Sequence, residues 1–321
     1  MDSASIVAVT SRSFSNNKEL VKKLKQRYKN VLLNESGHTL TGADLLSFLS
    51  SADKAIIGIE NLSKENLSAL PKLKVISKYG VGLNNIDLEF CKSSNIKLGF
   101  IPGVNKQSVA EFALTLILLG LRKIHTNHMQ ILKGIWPQNK GFELHKKKVG
   151  ILGFGNIGQT LASLLQSFRC EIIFFDQHIF QPDEIKNICN SHNINPSKLR
   201  QANFYEVLSE SDVLSIHLPL NSKTRNIINA NALLLVKPHV VLVNTARGGI
   251  VQEKDLISFL SSNPDAFAAF DVFAEEPAIN NPLFNLENFF GTSHRSSLTF
   301  EGINSMGMAA INGLDDNIYI N

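Results

Sequence analysis

The chain has 321 residues, of which 44% are hydrophobic, and a formal net charge of +4. This length can bury a substantial core and favours two domains over one. The small net charge, with basic clusters that are short and lack interleaved aromatic residues, argues against nucleic-acid binding.

A membrane span, a disulfide framework and a metal site are not expected from this sequence. The longest apolar run, residues 112–121, is about half of the roughly 20 residues that a spanning helix needs. The N-terminal apolar stretch is too short and too poorly flanked for a signal peptide. Cys91, Cys170 and Cys189 are widely spaced and form no metal-ligand pattern. We therefore expect a cytoplasmic protein with reduced cysteines.

Strand-like and helix-like segments alternate along almost the whole chain, which predicts an α/β fold with parallel sheets and crossover helices. The strands predicted in the N-terminal part are residues 5–11, 30–36, 54–60, 74–80 and 96–102. A second series is predicted at residues 147–155, 171–177, 202–204, 212–220, 240–246 and 266–273, with a short strand-like segment at 288–293. Two doubly wound units in tandem fit this pattern better than one large sheet.

Two helices flank the second series of strands. Pro102 and Gly103 break the pattern between the two series and are interpreted as a hinge. The apolar segment 108–129 that follows is predicted to form one long helix. A second helix is predicted at 298–314, and its apolar face must pack against the protein.

A glycine-rich turn, GFGNIG, lies between a strand-like segment and an amphipathic helix. In such a turn Gly153 permits the tight bend, Gly155 lets a pyrophosphate approach, and Gly158 permits close packing of helix on strand. Asp176, at the end of the next strand, would accept hydrogen bonds from the ribose hydroxyls and repel a 2′-phosphate, so the predicted cofactor is NAD. A structural turn with a solvated Asp176 is the alternative. The predicted site comprises Gly153, Phe154, Gly155, Asn156, Ile157, Gly158 and Asp176.

Several motifs follow one another in a fixed order along nearly the whole chain: KYGVGLNNIDL at 78–88, PGVNKQSVAEFAL at 102–114, GFGNIG at 153–158, HLPLNSKT at 217–224, NTARGGIV at 244–251, FDVFAEEP at 270–277 and GTSH at 291–294. Together they resemble the D-isomer-specific 2-hydroxyacid dehydrogenases, the family that includes phosphoglycerate dehydrogenase. The resemblance implies a Rossmann NAD-binding domain at 103–294, inserted into a flavodoxin-like substrate-binding domain made of 1–102 and 295–321. It also implies a homodimer, with the helix after PGVN at the subunit interface. Packing of that helix in the core is the alternative.

The resemblance also implies roles for residues of the last motifs. Arg247 would bind the substrate carboxylate in a fork geometry that lysine cannot copy and would polarise the 2-keto oxygen. The two glycines after it would let the backbone pass close to the nicotinamide. His294 would act as general acid and base, and Glu276 would orient its imidazole and stabilise its charged form. Asp271 would accept a hydrogen bond from the nicotinamide amide, unless it serves only as a cap.

Further motif positions are implied to line the cofactor or the substrate. The additional cofactor positions are His217, Pro219, Thr224, Thr245 and Ala246. On the substrate side, Val81 and Gly82 would bind the carboxylate through their backbone N–H groups, and Lys78 and Asn105 would add polar contacts. No metal is implied.

The chain departs from the family pattern at positions that bear on the substrate. Phosphoglycerate dehydrogenases generally place a phosphate-binding arginine after the third strand, whereas this chain has Glu60, which would repel a phosphate. After His294 the chain has Arg295, which could attract an acidic substrate tail, point to solvent or pair with Glu60. The chain ends at Asn321, so a C-terminal regulatory domain with serine-type feedback is not expected.

The leading hypothesis is a cytosolic enzyme that transfers a hydride between NAD(H) and a small D-2-hydroxy acid or 2-keto acid bound between the two domains. One alternative is a non-catalytic NAD(H)-sensing binding protein on the same scaffold. Another is a formate dehydrogenase-like enzyme, whose reaction needs no proton transfer. The presence of arginine, glutamate and histidine together argues against the sensing protein. Glu276, which favours a charged histidine partner, argues against the formate dehydrogenase-like enzyme.

Overall fold

The computed structural model describes residues 2–319. The chain divides into two compact units: unit 1 comprises the residues up to Asn105 and from Leu298 onward, and unit 2 comprises Lys106–Ser297. Both divisions fall three residues after the boundaries expected from the sequence. Within residues 2–319, no helix is both long enough and apolar enough to cross a membrane.

Unit 1 contains a five-stranded parallel sheet. Its strands are β1 Asp2–Val9, β2 Tyr28–Leu33, β3 Lys54–Ile57, β4 Val75–Lys78 and β5 Lys97–Gly99. Its helices before the chain enters unit 2 are α1 Arg12–Ser15, α2 Lys18–Arg27, α3 Gly42–Leu49, α4 Lys64–Ser68 and α5 Leu88–Ser93. The strand order β2-β1-β3-β4-β5 is the flavodoxin-like doubly wound order, which reverses between β1 and β3.

Unit 2 contains a seven-stranded parallel sheet. Its strands are β6 Lys148–Leu152, β7 Glu171–Phe175, β8 Leu199–Gln201, β9 Val213–Ile216, β10 Val241–Asn244, β11 Phe267–Phe270 and β12 Phe289–Gly291. Its helices are α6 Lys106–Leu121, α7 Ile124–Leu132, α8 Asn156–Leu165, α9 Pro182–His192, α10 Phe204–Glu210, α11 Ala230–Leu233 and α12 Glu253–Ser262. The order β12-β11-β10-β9-β6-β7-β8 is that of a Rossmann sheet with one further edge strand. The predicted fold class is confirmed.

The strands form because both faces of each sheet are buried, as in other parallel sheets. In β10, Val241 and Val243 pack into one hydrophobic cluster and Leu242 packs into the cluster on the opposite face. In unit 1, Ile56 and Ile57 of β3 likewise point into different clusters. These alternating apolar residues explain why nearly all of the strands were identified from the sequence.

The predicted C-terminal helix is confirmed as α13, Phe300–Gly313. Thr299 caps it by accepting a hydrogen bond from the N–H of Gly302 at 2.9 Å. The helix packs against β4 and β5 of unit 1, and a Cβ atom on Gly313 would lie only 2.9 Å from the Cα atom of Gly99. A glycine is therefore needed at this contact.

Two predicted elements are wrong in detail. The strand expected at 202–204 lies at 199–201, because Asn203 and Glu206 form a capping box that starts α10 instead. The single helix expected at 108–129 is two helices, because Lys123 adopts a left-handed conformation (φ 51°, ψ 33°) between α6 and α7. One face of α6 packs against α8, β10 and β11 within unit 2.

Candidate active site

The predicted cofactor residues lie where the strands of unit 2 end. The strand order reverses between β6 and β9, and ligands of doubly wound sheets bind outside the carboxyl ends of the strands at such a point. Gly153 directly follows β6 and His217 directly follows β9. The topology thus brings the glycine-rich turn and the HLPL motif to one edge of the sheet.

The glycine-rich turn has the geometry of a phosphate-binding turn. Gly153 adopts a positive φ of 98°, and a Cβ atom there would lie 2.6 Å from the carbonyl oxygen of His217. A Cβ atom on Gly158 would overlap the carbonyl of Gly153, so this glycine permits the close packing of α8. On Gly155 a Cβ atom would meet nothing within 4 Å, which leaves that side of the turn open. The first N–H groups of α8 have no partner within the helix and can bind an anion there.

Asp176 is tied to the turn by hydrogen bonds. Its Oδ2 accepts from the backbone N–H of Phe154 at 2.7 Å, and its Oδ1 accepts from the N–H of His178 at 3.0 Å. The Phe154 ring is buried and stacked on Phe174, with centroids 3.8 Å apart, so only the backbone of Phe154 belongs to the turn. The Asp176 carboxylate has further lone pairs that could accept from a ribose.

Two buried polar atoms at this edge of the sheet lack a hydrogen-bond partner: Nδ1 of His217 and Oγ1 of Thr245. Burial lowers the pKa of His217 to about 4, so its imidazole is neutral at physiological pH, and its Nε2 hydrogen-bonds to Ser215 Oγ at 2.8 Å. Buried polar atoms are normally hydrogen-bonded. The two unpartnered atoms, beside an open glycine turn, fit a bound dinucleotide.

The hydroxyl of Thr224 forms hydrogen bonds within its own loop. Its hydroxyl donates to the carbonyl of Pro219 and accepts from the N–H of Asn221 at 2.9 Å. Its hydroxyl therefore closes the loop that follows β9. Contact of Thr224 or Pro219 with the cofactor stays a prediction.

Asn244, which the sequence reasoning missed, shapes the turn that carries Arg247. Its side chain accepts from the N–H of Ala246 and donates to the carbonyl of Arg247, both at 3.0 Å. The available signal was a polar residue that ends the apolar strand VLVN. Burial lowers the pKa of Arg247, while the nearby Glu276 carboxylate opposes that effect. Arginine stays charged in proteins, so a half-buried cation faces this edge.

Gly248 allows the Arg247 turn to pack on the next loop. A Cβ atom on Gly248 would overlap the carbonyl of Phe273 and lie 2.5 Å from the N atom of Ala274. This glycine therefore has a packing reason, and close approach of its backbone to the nicotinamide stays a prediction. The contact places Arg247 beside the loop that carries Glu276.

Glu276 and His294 form a hydrogen-bonded pair. Glu276 Oε2 lies 2.8 Å from His294 Nδ1, and Oε1 accepts from the N–H of Phe273 at 3.0 Å. Burial opposes ionisation of Glu276, but these two hydrogen bonds, together with the charges of His294 and Arg247, outweigh it, and the pKa of Glu276 is lowered. The hydrogen bond to Glu276 raises the pKa of His294 against the effect of burial. The pair thus favours an imidazolium, and Nε2 of His294 bonds to no described residue.

Asp271 holds the segment on which His294 lies. Its fully buried carboxylate accepts three hydrogen bonds, from Thr292 Oγ1 at 2.6 Å and from the N–H groups of Arg295 and Ser296 at 2.8 Å. Its carbonyl accepts from the N–H of His294 at 2.9 Å. His294 has a positive φ of 51°, a conformation uncommon outside glycine that these bonds stabilise. The capping role is therefore present, and contact with the nicotinamide stays a prediction.

The substrate residues expected in unit 1 differ in whether their polar groups already have hydrogen-bond partners. The N–H groups of Val81 and Gly82, in the turn after β4, donate to no other group in residues 2–319. Asn105 is buried, and its Oδ1 has no partner. Lys78 is also buried, and its Nζ donates to the carbonyl of Gly58 and, at 2.7 Å, to Asn85 Oδ1. Val81, Gly82 and Asn105 thus have polar groups without a hydrogen-bond partner in residues 2–319, whereas Lys78 braces the turn.

Glu60 and Arg295, the two departures from the family pattern, differ in burial. Glu60 is almost fully buried and accepts hydrogen bonds from Thr10 and Gly58 of its own unit. The side chain of Arg295 is exposed.

Fold and site together define an α/β dinucleotide-binding protein with a hydrogen-bonded glutamate–histidine pair after its strand ends. Residues 114–296 match the family model described as D-isomer specific 2-hydroxyacid dehydrogenase, NAD binding domain. The chain therefore belongs to the D-isomer specific 2-hydroxyacid dehydrogenase family and has its NAD-binding domain.

Named relatives agree with this assignment. Over 271 residues the chain is 33% identical to a D-3-phosphoglycerate dehydrogenase of Methanocaldococcus jannaschii, with 84% of this chain and 50% of that protein covered. It is 34% identical to a glyoxylate reductase of Thermococcus litoralis, with 77% and 74% covered. The crystal structure of an NAD-dependent formate dehydrogenase from Staphylococcus aureus in complex with NAD is 28% identical, with 98% and 99% covered and a TM-score of 0.80. The chain spans about half the length of the phosphoglycerate dehydrogenase it matches.

Proposed function

We propose that this protein transfers a hydride between NAD(H) and a small D-2-hydroxy acid or its 2-keto acid. The observation that supports it most is the Glu276–His294 pair, whose atoms are 2.8 Å apart, beside the half-buried Arg247. A proton donor with a raised pKa next to a fixed cation suits the reduction of a carbonyl that carries a carboxylate. The buried cysteines suit the reducing cytoplasm, which we propose as its location.

Each residue of the site has a distinct task in this reaction. NAD, held by the glycine-rich turn and Asp176, supplies the hydride acceptor or donor. Arg247 binds the substrate carboxylate and draws electrons from the keto oxygen. In the reductive direction His294 donates a proton from Nε2 to that oxygen, and in the oxidative direction it takes the proton back. Glu276 stabilises the imidazolium before the transfer and keeps the ring oriented.

A panel of 2-keto acids with NADH, followed at 340 nm, tests the proposal. We expect NADH to be consumed with at least one small 2-keto acid. Tight NADH binding without turnover on any acid would favour the alternative of a non-catalytic NAD(H)-sensing protein and contradict the proposal.

Formate oxidation is the second candidate, because a formate dehydrogenase is among the similar structures. Formate oxidation requires no proton transfer to or from the substrate oxygen, so a paired acid–base residue such as His294 would have no task in it. Formate with NAD⁺ in the same assay separates the two activities. Reduction of NAD⁺ by formate, with no turnover of 2-keto acids, would establish the second candidate.

The pH dependence of 2-keto acid reduction should report the Glu276–His294 pair. Because Glu276 raises the pKa of His294 above 6.5, we expect kcat/KM to fall only as pH rises through that raised value. Replacing Glu276 by glutamine should move this alkaline limb to lower pH and should favour oxidation of the hydroxy acid at neutral pH. The measurement is kcat/KM in both directions between pH 5 and 9.

Glu275→Gln is a matched control, because Glu275 is the exposed neighbour of Glu276. It should leave the pH profile in place. A profile that is the same in wild type and Glu276→Gln would contradict the assigned role. The raised pKa of His294 also stabilises the fold at pH values below 6.5, and this contribution is lost as pH rises through the folded-state pKa.

We also propose a homodimer, with the interface at a group of exposed apolar side chains that we call the α7 patch. The patch consists of Ile124, Ile131, Leu132, Ile135, Trp136 and Phe142. Trp136, the only tryptophan of the chain, is 79% exposed. These six side chains all lie within residues 124–142, and exposed apolar surface of this kind marks association sites in soluble proteins. The other part of the expected interface, α6, keeps half-buried apolar residues such as Leu118 and Leu119.

Replacing Trp136 by glutamate should shift the protein from dimer to monomer, because a charge at an apolar interface loses its hydration. Sedimentation velocity at several concentrations measures the change. Leu234→Glu is the control, since Leu234 is 82% exposed but lies outside the patch at the end of α11. A monomeric wild type, or a dimer that persists in Trp136→Glu, would contradict this proposal.

A further inference from the structure

Glu60 is a buried carboxylate at the carboxyl edge of the unit 1 sheet. Only 3% of the residue is exposed. Its Oε2 accepts hydrogen bonds from Thr10 Oγ1 at 2.7 Å and from the N–H of Gly58 at 2.8 Å. Thr10 directly follows β1 and Gly58 directly follows β3. The carboxylate is therefore fixed across the ends of two neighbouring strands.

These two strand ends are the point where the sheet reverses its order. In the arrangement β2-β1-β3-β4-β5, the chain turns from one side to the other between β1 and β3. Doubly wound sheets bind their ligands in the crevice outside the carboxyl ends at this point. Glu60 thus stands where unit 1 is expected to hold a ligand.

The second oxygen of the carboxylate is available to such a ligand. Oε1 of Glu60 accepts no hydrogen bond from residues 2–319. Some side-chain atoms of these residues are fully buried and have no partner, but Oε1 is not one of them. It therefore keeps some contact with solvent. A carboxylate taken out of water is costly unless hydrogen bonds compensate it. Here two donors hold one oxygen and leave the other as a fixed acceptor.

The surrounding contacts make the position of Glu60 rigid. Lys78 Nζ donates to the carbonyl of Gly58, whose N–H donates to Glu60. Asn85 Nδ2 donates to the carbonyl of Glu60 at 2.6 Å. The backbone of Gly58 is therefore held from both sides, its carbonyl by the Lys78 ammonium and its N–H by the Glu60 carboxylate. A rigid acceptor discriminates between ligands more sharply than a mobile one, because its side chain cannot rotate to avoid an unfavourable ligand group.

We propose that Glu60 selects the substrate by the group at the end of its carbon chain. It accepts a hydrogen bond from a hydroxyl or a protonated amine, and it repels a phosphate or a second carboxylate. The substrate class is then a 2-keto acid, or its hydroxy acid, with a hydrogen-bond donor beyond the keto carbon. This inference rests on the proposed function and narrows its substrate.

The test compares three probes with NADH: hydroxypyruvate, pyruvate and 3-phosphohydroxypyruvate. We expect wild type to favour hydroxypyruvate and to use the phosphorylated acid least. Glu60→Gln keeps the size of the side chain and an oxygen for Thr10 and Gly58, but presents an amide N–H₂ in place of Oε1. It should reduce the preference for hydroxypyruvate over pyruvate about tenfold or more, the factor that one hydrogen bond to a charged group provides. The relative kcat/KM for the phosphorylated acid should rise.

The readout is the ratio of kcat/KM values between two acids, compared between variant and wild type. This comparison cancels the different intrinsic reactivities of the three acids. Asp53→Asn is the matched control. Asp53 lies just before β3, at the amino ends of the strands of the same sheet, and its Oδ2 accepts from the N–H of Ile6 at 2.9 Å. It should lower Tm without changing the ratio. If Glu60→Gln does not fold, Thr10→Val, which removes one of the two donors, should weaken the same preference.

An equal loss of kcat/KM for all three acids in Glu60→Gln would show a purely structural role and overturn the inference. Absence of turnover in wild type would instead contradict the proposed function. In that case calorimetric binding of the three acids to the NAD⁺-loaded protein measures the same preference without chemistry. Tighter binding of hydroxypyruvate that is lost in Glu60→Gln supports the inference, and equal binding of all three in wild type overturns it.

Discussion

Replacing His294 by alanine is expected to lower kcat for 2-keto acid reduction by about two to four orders of magnitude, the usual contribution of a general acid. The imidazole is the group with a raised pKa at this edge of unit 2, and its Nε2 bonds to no described residue. Without it, the developing alkoxide must take its proton from water. The measurement is kcat with the best acid of the panel.

NADH affinity separates this chemical role from a structural one. The glycine-rich turn and Asp176 lie at the ends of β6 and β7, whereas His294 follows β12. We therefore expect the Kd for NADH in His294→Ala to stay within about twofold of wild type, since none of the hydrogen bonds of the turn is changed. A loss of kcat below about tenfold would contradict the assignment of His294 as the acid.

The fold could be predicted from the sequence because its main signal is local. Apolar runs such as 241–244 and 213–216 are buried on both faces, and turn residues separate them from amphipathic helices. The errors arise where one polar or strained residue decides the outcome. Asn203 starts a helix where a strand was expected, and Lys123 interrupts a helix that its apolar neighbours would continue.

The candidate site was predictable only in part, for a related reason. Ordered motifs pointed to Arg247, Glu276 and His294, and two of these form a hydrogen bond. The supports of the site join segments far apart in the chain, as when Asp271 binds the segment after β12. Spacing along the sequence contains no information on which of several acidic residues will meet which donor. Glu60 is the clearest case. Its charge was enough to predict that it would repel a phosphate, but nothing in the sequence predicted its anchoring by Thr10.

Replacing Arg247 by lysine is expected to lower kcat/KM about a hundredfold or more, although the charge is kept. Arginine binds a carboxylate with two parallel N–H groups, and lysine offers a point charge on a flexible stem. Asn244 holds the Arg247 backbone and Gly248 seats the turn on Phe273, so the side chain starts from a fixed position. Because that turn is held in place, it cannot move to compensate for the loss of the second parallel N–H group. We expect the larger part of the loss in KM for the acid, with the Kd for NADH unchanged.

The charge and the geometry of Arg247 can be separated by a second variant. Arg247 lowers the pKa of His294, against the larger effect of Glu276. Arg247→Lys should therefore keep the pH profile of wild type, whereas Arg247→Ala should move the alkaline limb of reduction to higher pH as well as lowering kcat/KM further. Arg225→Lys is the control, because Arg225 is exposed and lies near Gly249 of the same turn. If Arg247→Lys retained kcat/KM within about threefold, charge alone would account for binding, and the fork geometry assigned to this residue would be wrong.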